Sequence, residues 1–210
     1  MKLNKVLLFH KRSTYQLQAM EYRDNRFIEL IEQNHQAVSR VQKAHGDHLN
    51  TLELLTEELK KRNIKVDTKT RSALDHKIKN IDLLISVGGD GTFLDASHYL
   101  DEVPILGVNS ARSSSVGHFC LANETNIGQV LDQIINNEIA PSSLLRLQAT
   151  LNGKILEQNA LNEILVAHKN PAGTSRYIIE IDKFSEEQLS SGIWIGSPAG
   201  STGAIKAAGG

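Results

Sequence analysis

Ile81-Asp82-Leu83-Leu84-Ile85-Ser86-Val87-Gly88-Gly89-Asp90-Gly91-Thr92 is the stretch on which the fold turns. Its first seven residues are almost continuously apolar, the pattern of a strand buried on both faces, and such strands belong to parallel sheets covered by helices on either side. The glycines then end the strand and lead into a helix predicted over residues 92–100. Three glycines let the backbone turn sharply and bring its N–H groups close to an anion, and the helix N-terminus adds favourable partial charge. The loop also lies at the carboxyl end of its strand, where open α/β sheets bind ligands. A phosphate group fits that chemistry. Asp90 is the odd member, because a carboxylate beside a phosphate repels it unless a metal ion intervenes or the carboxylate takes a proton from an attacking hydroxyl. As plain structure, Asp90 could instead cap the helix.

Upstream, residues 5–9 (KVLLF) read as a buried first strand. A helical pattern from about Arg40 places Leu49, Leu52, Leu55 and Leu59 at spacings of three and four, with Asn63 able to take the left-handed conformation that ends it. Residues 64–68 read as the next strand. Downstream, residues 103–108 (VPILGV) supply another central strand. Asn126 then precedes a helix with Gln129 at its third position and a stripe of Ile127, Val130, Leu131, Ile134 and Ile135, and Pro141 acts as a breaker. Strands alternating with helices predict an α/β fold, a doubly wound and mainly parallel domain over residues 1–140. From there the period changes to two: Leu145, Leu147, Ala149 and Leu151 alternate with Arg146, Gln148 and Thr150 as far as Asn152-Gly153, a strong hairpin signal. With further strands at residues 164–168, 177–181 and 193–195, the second domain, 141–210, is predicted to be β-rich and sandwich-like, with Trp194 in its core between two isoleucines. The two domains are expected to share a cleft.

Composition removes several classes of function. The 210 residues are 40% hydrophobic and 22% charged with a formal charge of −1 and no basic block, so nucleic acid is not the expected partner. The apolar runs are too short to span a bilayer, and residues 1–10 lack a long apolar segment with a small-residue cleavage site, so no membrane association is expected. Cys120 is the single cysteine, which excludes an intrachain disulfide and a cysteine-rich zinc site. A reducing compartment, the cytoplasm, fits.

The GGDGT loop occurs in NAD kinases, in the diacylglycerol and sphingosine lipid kinases and, as a variant, in phosphofructokinases. Two further stretches narrow the choice. Asn162-Glu163 in ALNEILV resembles the Asn-Glu pair of NAD kinases, and Ser197-Pro198-Ala199-Gly200-Ser201-Thr202-Gly203 resembles their TPTGSTAY loop. The order matches, and the loop continues Phe93-Leu94-Asp95-Ala96 where lipid kinases typically run to Asn-Glu within a few residues. From about Ile81 to its last residue the chain thus resembles the NAD kinase family.

That resemblance implies direct, in-line transfer of a phosphoryl group from ATP, or from inorganic polyphosphate, to the 2′-hydroxyl of the adenosine ribose of NAD+ or NADH. Mg2+ or another divalent cation would neutralise the phosphates, and Asp90 would be the base or act through the metal. Gly89, Gly91, Thr92, Phe93, Asn109, Ser201, Thr202 and Gly203 carry over as nucleotide or substrate contacts, with no residue assigned as a direct metal ligand. Asn162 and Glu163 also make chemical sense there. An amide offers a donor and an acceptor to an adenine edge or a ribose, and a carboxylate accepts from vicinal hydroxyls. Adjacent residues on a regular strand face opposite ways, so an irregularity is expected at residues 161–163. His118 and Lys206 lie near the loops but read as solvated or structural.

The chain departs from the family where Asp-Gly precedes the last loop and Ala-Tyr ends it, since Ser191-Gly192 and Gly203-Ala204 stand there instead. The family's GxNxGxxGF stretch is also lengthened between Asn109 and Val116-Gly117-His118-Phe119. These features look more like the NADH-kinase branch. Family members continue past the equivalent of Gly210, which implies an incomplete second domain, and they associate as dimers or tetramers, which implies a homo-oligomer. A lipid or sugar kinase using the same loop, and a nucleotide-binding regulatory module without catalysis, are the alternatives.

Overall fold

Alternation of apolar residues at strand spacing puts two hydrophobic rows on each central strand, and the fold of the first part of the chain is the burial of both. The computed structural model describes residues 2–74, 76–112, 115–170 and 172–209. It divides into two units, Met1–Pro141 and Ser142–Gly210. In the first, β1 (Lys5–His10), β2 (Lys65–Thr70), β3 (Leu83–Gly88), β4 (Ile105–Asn109) and β5 (Cys120–Asn123) form one sheet in the order β2-β1-β3-β4-β5. All four pairings are parallel. Val6 and Leu8 of β1 with Leu83, Ile85 and Val87 of β3 join one core, while Leu7, Phe9 and Leu84 join the other.

Helices cover both layers, so the doubly wound reading holds. On one side lie α2 (Gln36–Lys61) and α4 (Ile127–Ile135), contributing Leu55, Leu59, Ile127, Val130 and Leu131. On the other lies α3 (Asp90–Ser97), contributing Ala96. Arg62, just past α2, joins its two helices by hydrogen bonds to Glu58, to Asp132 (2.8 Å) and to the Gly128 carbonyl (3.1 Å). At the start of β1 the Asp82 carboxylate accepts from the N–H groups of Asn4 (2.7 Å) and Lys5 (2.9 Å), which holds its pKa below the usual carboxylate value. Because successive strands leave β1 in opposite directions across the sheet, the crevice rule places a ligand at the carboxyl ends of β1 and β3.

Several local expectations are corrected. The buried face of α2 is Val38, His48, Thr51, Leu55 and Leu59, and Leu49 is 49% exposed. Asn63 does adopt the left-handed conformation (φ 55°) just beyond the helix. Asn126 sits at the N-cap of α4 but its side chain makes no capping bond; its Oδ1 accepts instead from the Asn123 N–H (2.8 Å). A wide helical turn, Gln16–Glu21, and α1 (Asn25–Glu32), capped by Asp24 accepting from the Phe27 N–H, fill a region that the sequence reading left blank.

Among the described residues, the second unit holds three two-stranded antiparallel sheets: β6 (Thr150–Leu151) with β7 (Lys154–Ile155), β8 (Glu163–Val166) with β11 (Ile193–Gly196), and β9 (Ser175–Ile181) with β10 (Phe184–Ser190). Asn152 (φ 49°) and Gly153 (φ 76°) make the β6–β7 turn with both central residues left-handed, the geometry that matches strand twist. The strand expected from Leu145 is reduced to β6 and a bridge between Leu147 and Ala160. Trp194, expected in a core, is 38% exposed on β11. After β11 come a 3-10 turn (Pro198–Thr202) and α5 (Ala204–Ala207).

The two leucines of α2 provide a test of which face is buried. Leu55→Ala should cost about 2–5 kcal/mol in urea unfolding, from lost burial plus the cavity left, whereas Leu49→Ala should cost under about 1 kcal/mol. Similar losses for both would mean that the helix is rotated from this description.

Candidate functional site

Gly89 is the extended N-cap of α3, and Asp90 opens the helix. Asp90 does not cap it. Its Oδ1 accepts from the Phe119 N–H (2.8 Å), so the carboxylate is held by the segment leading into β5. A carboxylate has about four lone-pair sites, so this bond orients the group without exhausting it. The space beside Gly89 where a Cβ would stand is filled by the Ser115 hydroxyl, whereas Gly91 is exposed and opens onto empty space. The loop is open on the Gly91 side; of the first-turn N–H groups, that of Thr92 already donates to the Gly89 carbonyl (3.0 Å). Thr92 and Phe93 are both buried, and Phe93 stacks on Phe119 with centroids 5.1 Å apart and planes 7° from parallel. These two side chains support the loop rather than line its open side.

Asn109 is buried too, and both its polar atoms serve its own loop: Oδ1 accepts from the Ala111 N–H and Nδ2 donates to the Ser115 carbonyl, each at 3.0 Å. Next to it is a cleft of about 230 Å3 whose lining includes Asn109, Ser115, Gly117, Cys120 and Asn123. Burial first, and the charge of Asp90 second, push the Cys120 thiol up to about 12. His118 is exposed, its ring edge-on to Phe119.

In the second unit the other candidates converge. β8 begins at Glu163, so Asn162 stands just outside the regular strand, the irregularity that lets neighbouring side chains reach one place. From Gly203, the position of a Cβ would be 3.4 Å from both Asn162 Nδ2 and Glu163 Oε2. Asn162 Oδ1 and Glu163 Oε2 are buried with no hydrogen-bond partner. Buried acceptors without partners are costly, and sites that persist with them are places where a ligand's donors belong. Ser201 and Thr202 are exposed, and the Ser201 hydroxyl donates to the Pro198 carbonyl (2.8 Å). Lys206 is exposed on α5.

Ser197 organises this cluster, and no role was read for it from sequence. It is 5% exposed; its N–H donates to the Asn162 carbonyl (2.8 Å), its hydroxyl donates to the Leu161 carbonyl, and the same oxygen accepts from the Gly200 N–H (3.3 Å). A serine followed by proline after a strand is an N-cap signature, the signal that could have identified it. Gly200 is buried with its α-carbon against the Asn162 backbone, where a Cβ would collide.

His48, on α2, is the second residue missed. It is 3% exposed; Nδ1 meets Ser110 Oγ at 2.7 Å and Nε2 meets the Lys11 carbonyl at 3.1 Å. Burial first, then the nearby His10, Lys11 and His45, lower its pKa to about 4. Among the described residues, no group of three or more His, Cys, Asp or Glu side chains could hold a metal ion, and no helix is long and apolar enough to cross a membrane.

Comparison with known proteins gives a family and several relatives. The model of the ATP-NAD kinase N-terminal domain matches residues 6–139. A "Probable NADH kinase" of Oryza sativa subsp. japonica is 38% identical over 186 residues, covering 78% of this chain and 57% of the relative. An "NADH kinase" of Arabidopsis thaliana is 36% identical over 78% of this chain and 59% of its own length. An "NAD kinase" of Methanopyrus kandleri is 33% identical over 63% of this chain and 48% of its own. The chain spans less than two thirds of the length of these relatives.

Two measurements probe the geometry. Gly200→Ala should be destabilising and should move the backbone at Asn162, read as a lowered Tm and shifted Asn162 and Glu163 amide resonances; unchanged spectra would mean that the loop does not rest on that backbone. For His48, the folded pKa lies below the unfolded value of 6.5, so its protonation favours the unfolded chain. Stability should be complete above pH 6.5 and decline as pH falls toward 4, by about 2 kcal/mol at pH 5. Urea unfolding at pH 8 and pH 5 checks this, and His48→Phe should lose that share of the slope.

Proposed function

The chain belongs to the NAD kinase family, and on that premise we propose that it transfers a phosphoryl group from ATP to the 2′-hydroxyl of the adenosine ribose of NAD+ or NADH, yielding NADP+ or NADPH. The observation that carries this reading is the convergence of Asn162 and Glu163 on Gly203, with a buried amide oxygen and a buried carboxylate oxygen left without partners. Vicinal ribose hydroxyls are donors that satisfy such acceptors, and the amide's own donor can take a ribose oxygen or an adenine nitrogen. Among the other loop residues, Ser201 and Thr202 offer exposed hydroxyls.

A 2′-hydroxyl is a weak nucleophile. Asp90 takes its proton as the oxygen attacks phosphorus in line, and the Phe119 N–H keeps the carboxylate aimed by holding Oδ1. Gly89, Gly91 and the N-terminus of α3 receive the donor's phosphates, with Thr92 and Phe93 setting the shape of the turn from below and Asn109 bracing the loop beside it. Magnesium fits this arrangement as a companion of the donor's phosphates, because the loop offers one carboxylate, Asp90, and no cluster of protein ligands among the described residues. Bound there, the ion would neutralise phosphate charge.

Two of the relatives described above bear the name NADH kinase, and Ser191-Gly192 stands where a carboxylate-bearing pair is usual in the family. Both support reduced NADH as an accepted substrate. A reducing compartment such as the cytoplasm suits the single, half-buried thiol, and a homo-oligomer is the assembly we expect.

Purified chain supplied with Mg2+ and either ATP or polyphosphate should phosphorylate NAD+ and NADH, but neither diacylglycerol nor fructose 6-phosphate. Transfer to the lipid or sugar alone would overturn the reading. Asp90→Asn should lower kcat by about 10²–10⁴ while leaving KM within about threefold. Near-normal turnover in that variant would remove Asp90 from the chemistry.

A further inference from the structure

The imidazole of His48 is buried on α2, far in sequence from the glycine loop, yet it is joined to that loop by a short path. A backbone carbonyl only accepts, so the proton of His48 sits on Nε2 and is given to the Lys11 carbonyl at the end of β1. Nδ1 is then bare and accepts from the Ser110 hydroxyl at 2.7 Å. Ser110, 2% exposed, donates its own N–H to the Gly88 carbonyl at 2.9 Å, where β3 passes into the glycine loop. Its neighbour Asn109 ties down the rest of the segment through Ala111 and Ser115, and packs against Gly117 in its left-handed conformation (φ 69°). That segment fills the space beside Gly89 with Ser115 and presents the Phe119 N–H to Asp90.

We propose that His48 is a positioning residue: acting through Ser110, it holds the loop after β4 against the glycine turn and so fixes the direction of the Asp90 carboxylate. The position on α2 is otherwise an expensive place for a histidine. The helix's neighbouring buried positions are Val38, Thr51, Leu55 and Leu59, and an apolar residue there would bury area without needing two partners. What the imidazole adds is a rigid bridge with an acceptor toward Ser110 and a donor toward Lys11, two segments that follow separate strands at the ligand-binding edge of the sheet. The charged or titratable groups facing it are His10, whose ring centroid is 5.7 Å away and whose Nδ1 shares the Lys11 carbonyl, together with Lys11 and His45. The proposal rests on the reading of Asp90 as the base.

Asparagine and glutamine separate the two halves of the bridge. Asn at position 48 can set an acceptor where Nδ1 lies, and Gln reaches instead toward the place of Nε2. In the full chain, His48→Phe and Ser110→Ala should each speed amide exchange of Phe119 by about tenfold, with exchange in the β6–β7 hairpin unchanged. Each should lower kcat by about tenfold with KM for NAD(H) held within about twofold, and the double variant should be no worse than either single one. His48→Asn should restore both readouts, and His48→Gln should restore neither. Gln equal to or better than Asn, unchanged Phe119 exchange in His48→Phe, or a rise in KM at constant kcat would overturn the proposal. If His48→Phe fails to fold, the Asn and Gln comparison decides alone. Should no form, wild type included, make NADP(H), the kinase reading fails, and amide exchange still tells whether His48 positions the loop.

Discussion

A strand enclosed on every side can offer chemistry only at its end. β3 has β1 and β4 hydrogen-bonded along its edges, Leu83, Ile85 and Val87 packed into one layer and Leu84 into the other. Its backbone is committed to the ladder and its apolar side chains to the two layers, so polar groups reach the surface only from Gly89 onward. The position of Asp90 follows from this. It stands one residue past the glycine that caps α3, at the edge where strand order reverses about β1, and its direction is set by a single N–H from the far side of the sheet, that of Phe119.

Elements that bury an apolar row were readable from sequence, because burial is what writes the pattern. Residues 81–87, 5–9 and the stripe of α4 gave strands and a helix close to those observed, and the turn at Asn152-Gly153 followed from two left-handed residues in succession. The misses share a cause. The helical region from Gln16 to Glu32 has no buried residue in either helix, β10 is mostly exposed and reads FSEEQLS, and β5 is four residues long. Leu49 satisfies the helical period and still faces outward, since spacing alone does not say which of two overlapping stripes meets the sheet, and the one that does includes His48 and Thr51.

The candidate site was legible as chemistry but not as support. GGDGT, Asn-Glu and the loop after Gly196 stand out by residue type and order. Thr92, Phe93 and Asn109 are buried within the loops that carry them, which residue type alone does not tell. His48 and Ser110 were invisible because a hydrogen bond spanning 62 residues leaves no local trace, whereas Ser197 leaves one in the serine-proline pair that follows β11. In the second unit Ser197 is held by several hydrogen bonds while Asn162 Oδ1 and Glu163 Oε2 beside it have no partner.

The cleft lined by Asn109 has one more property, which concerns reactivity toward oxidants. Cys120 lines that cleft, and with its thiol held near 12 by burial and by the neighbouring carboxylate it carries almost no thiolate at neutral pH. The thiolate is the form that attacks peroxides and other electrophiles, so burial first, and the charge of Asp90 second, keep this sulfhydryl unreactive.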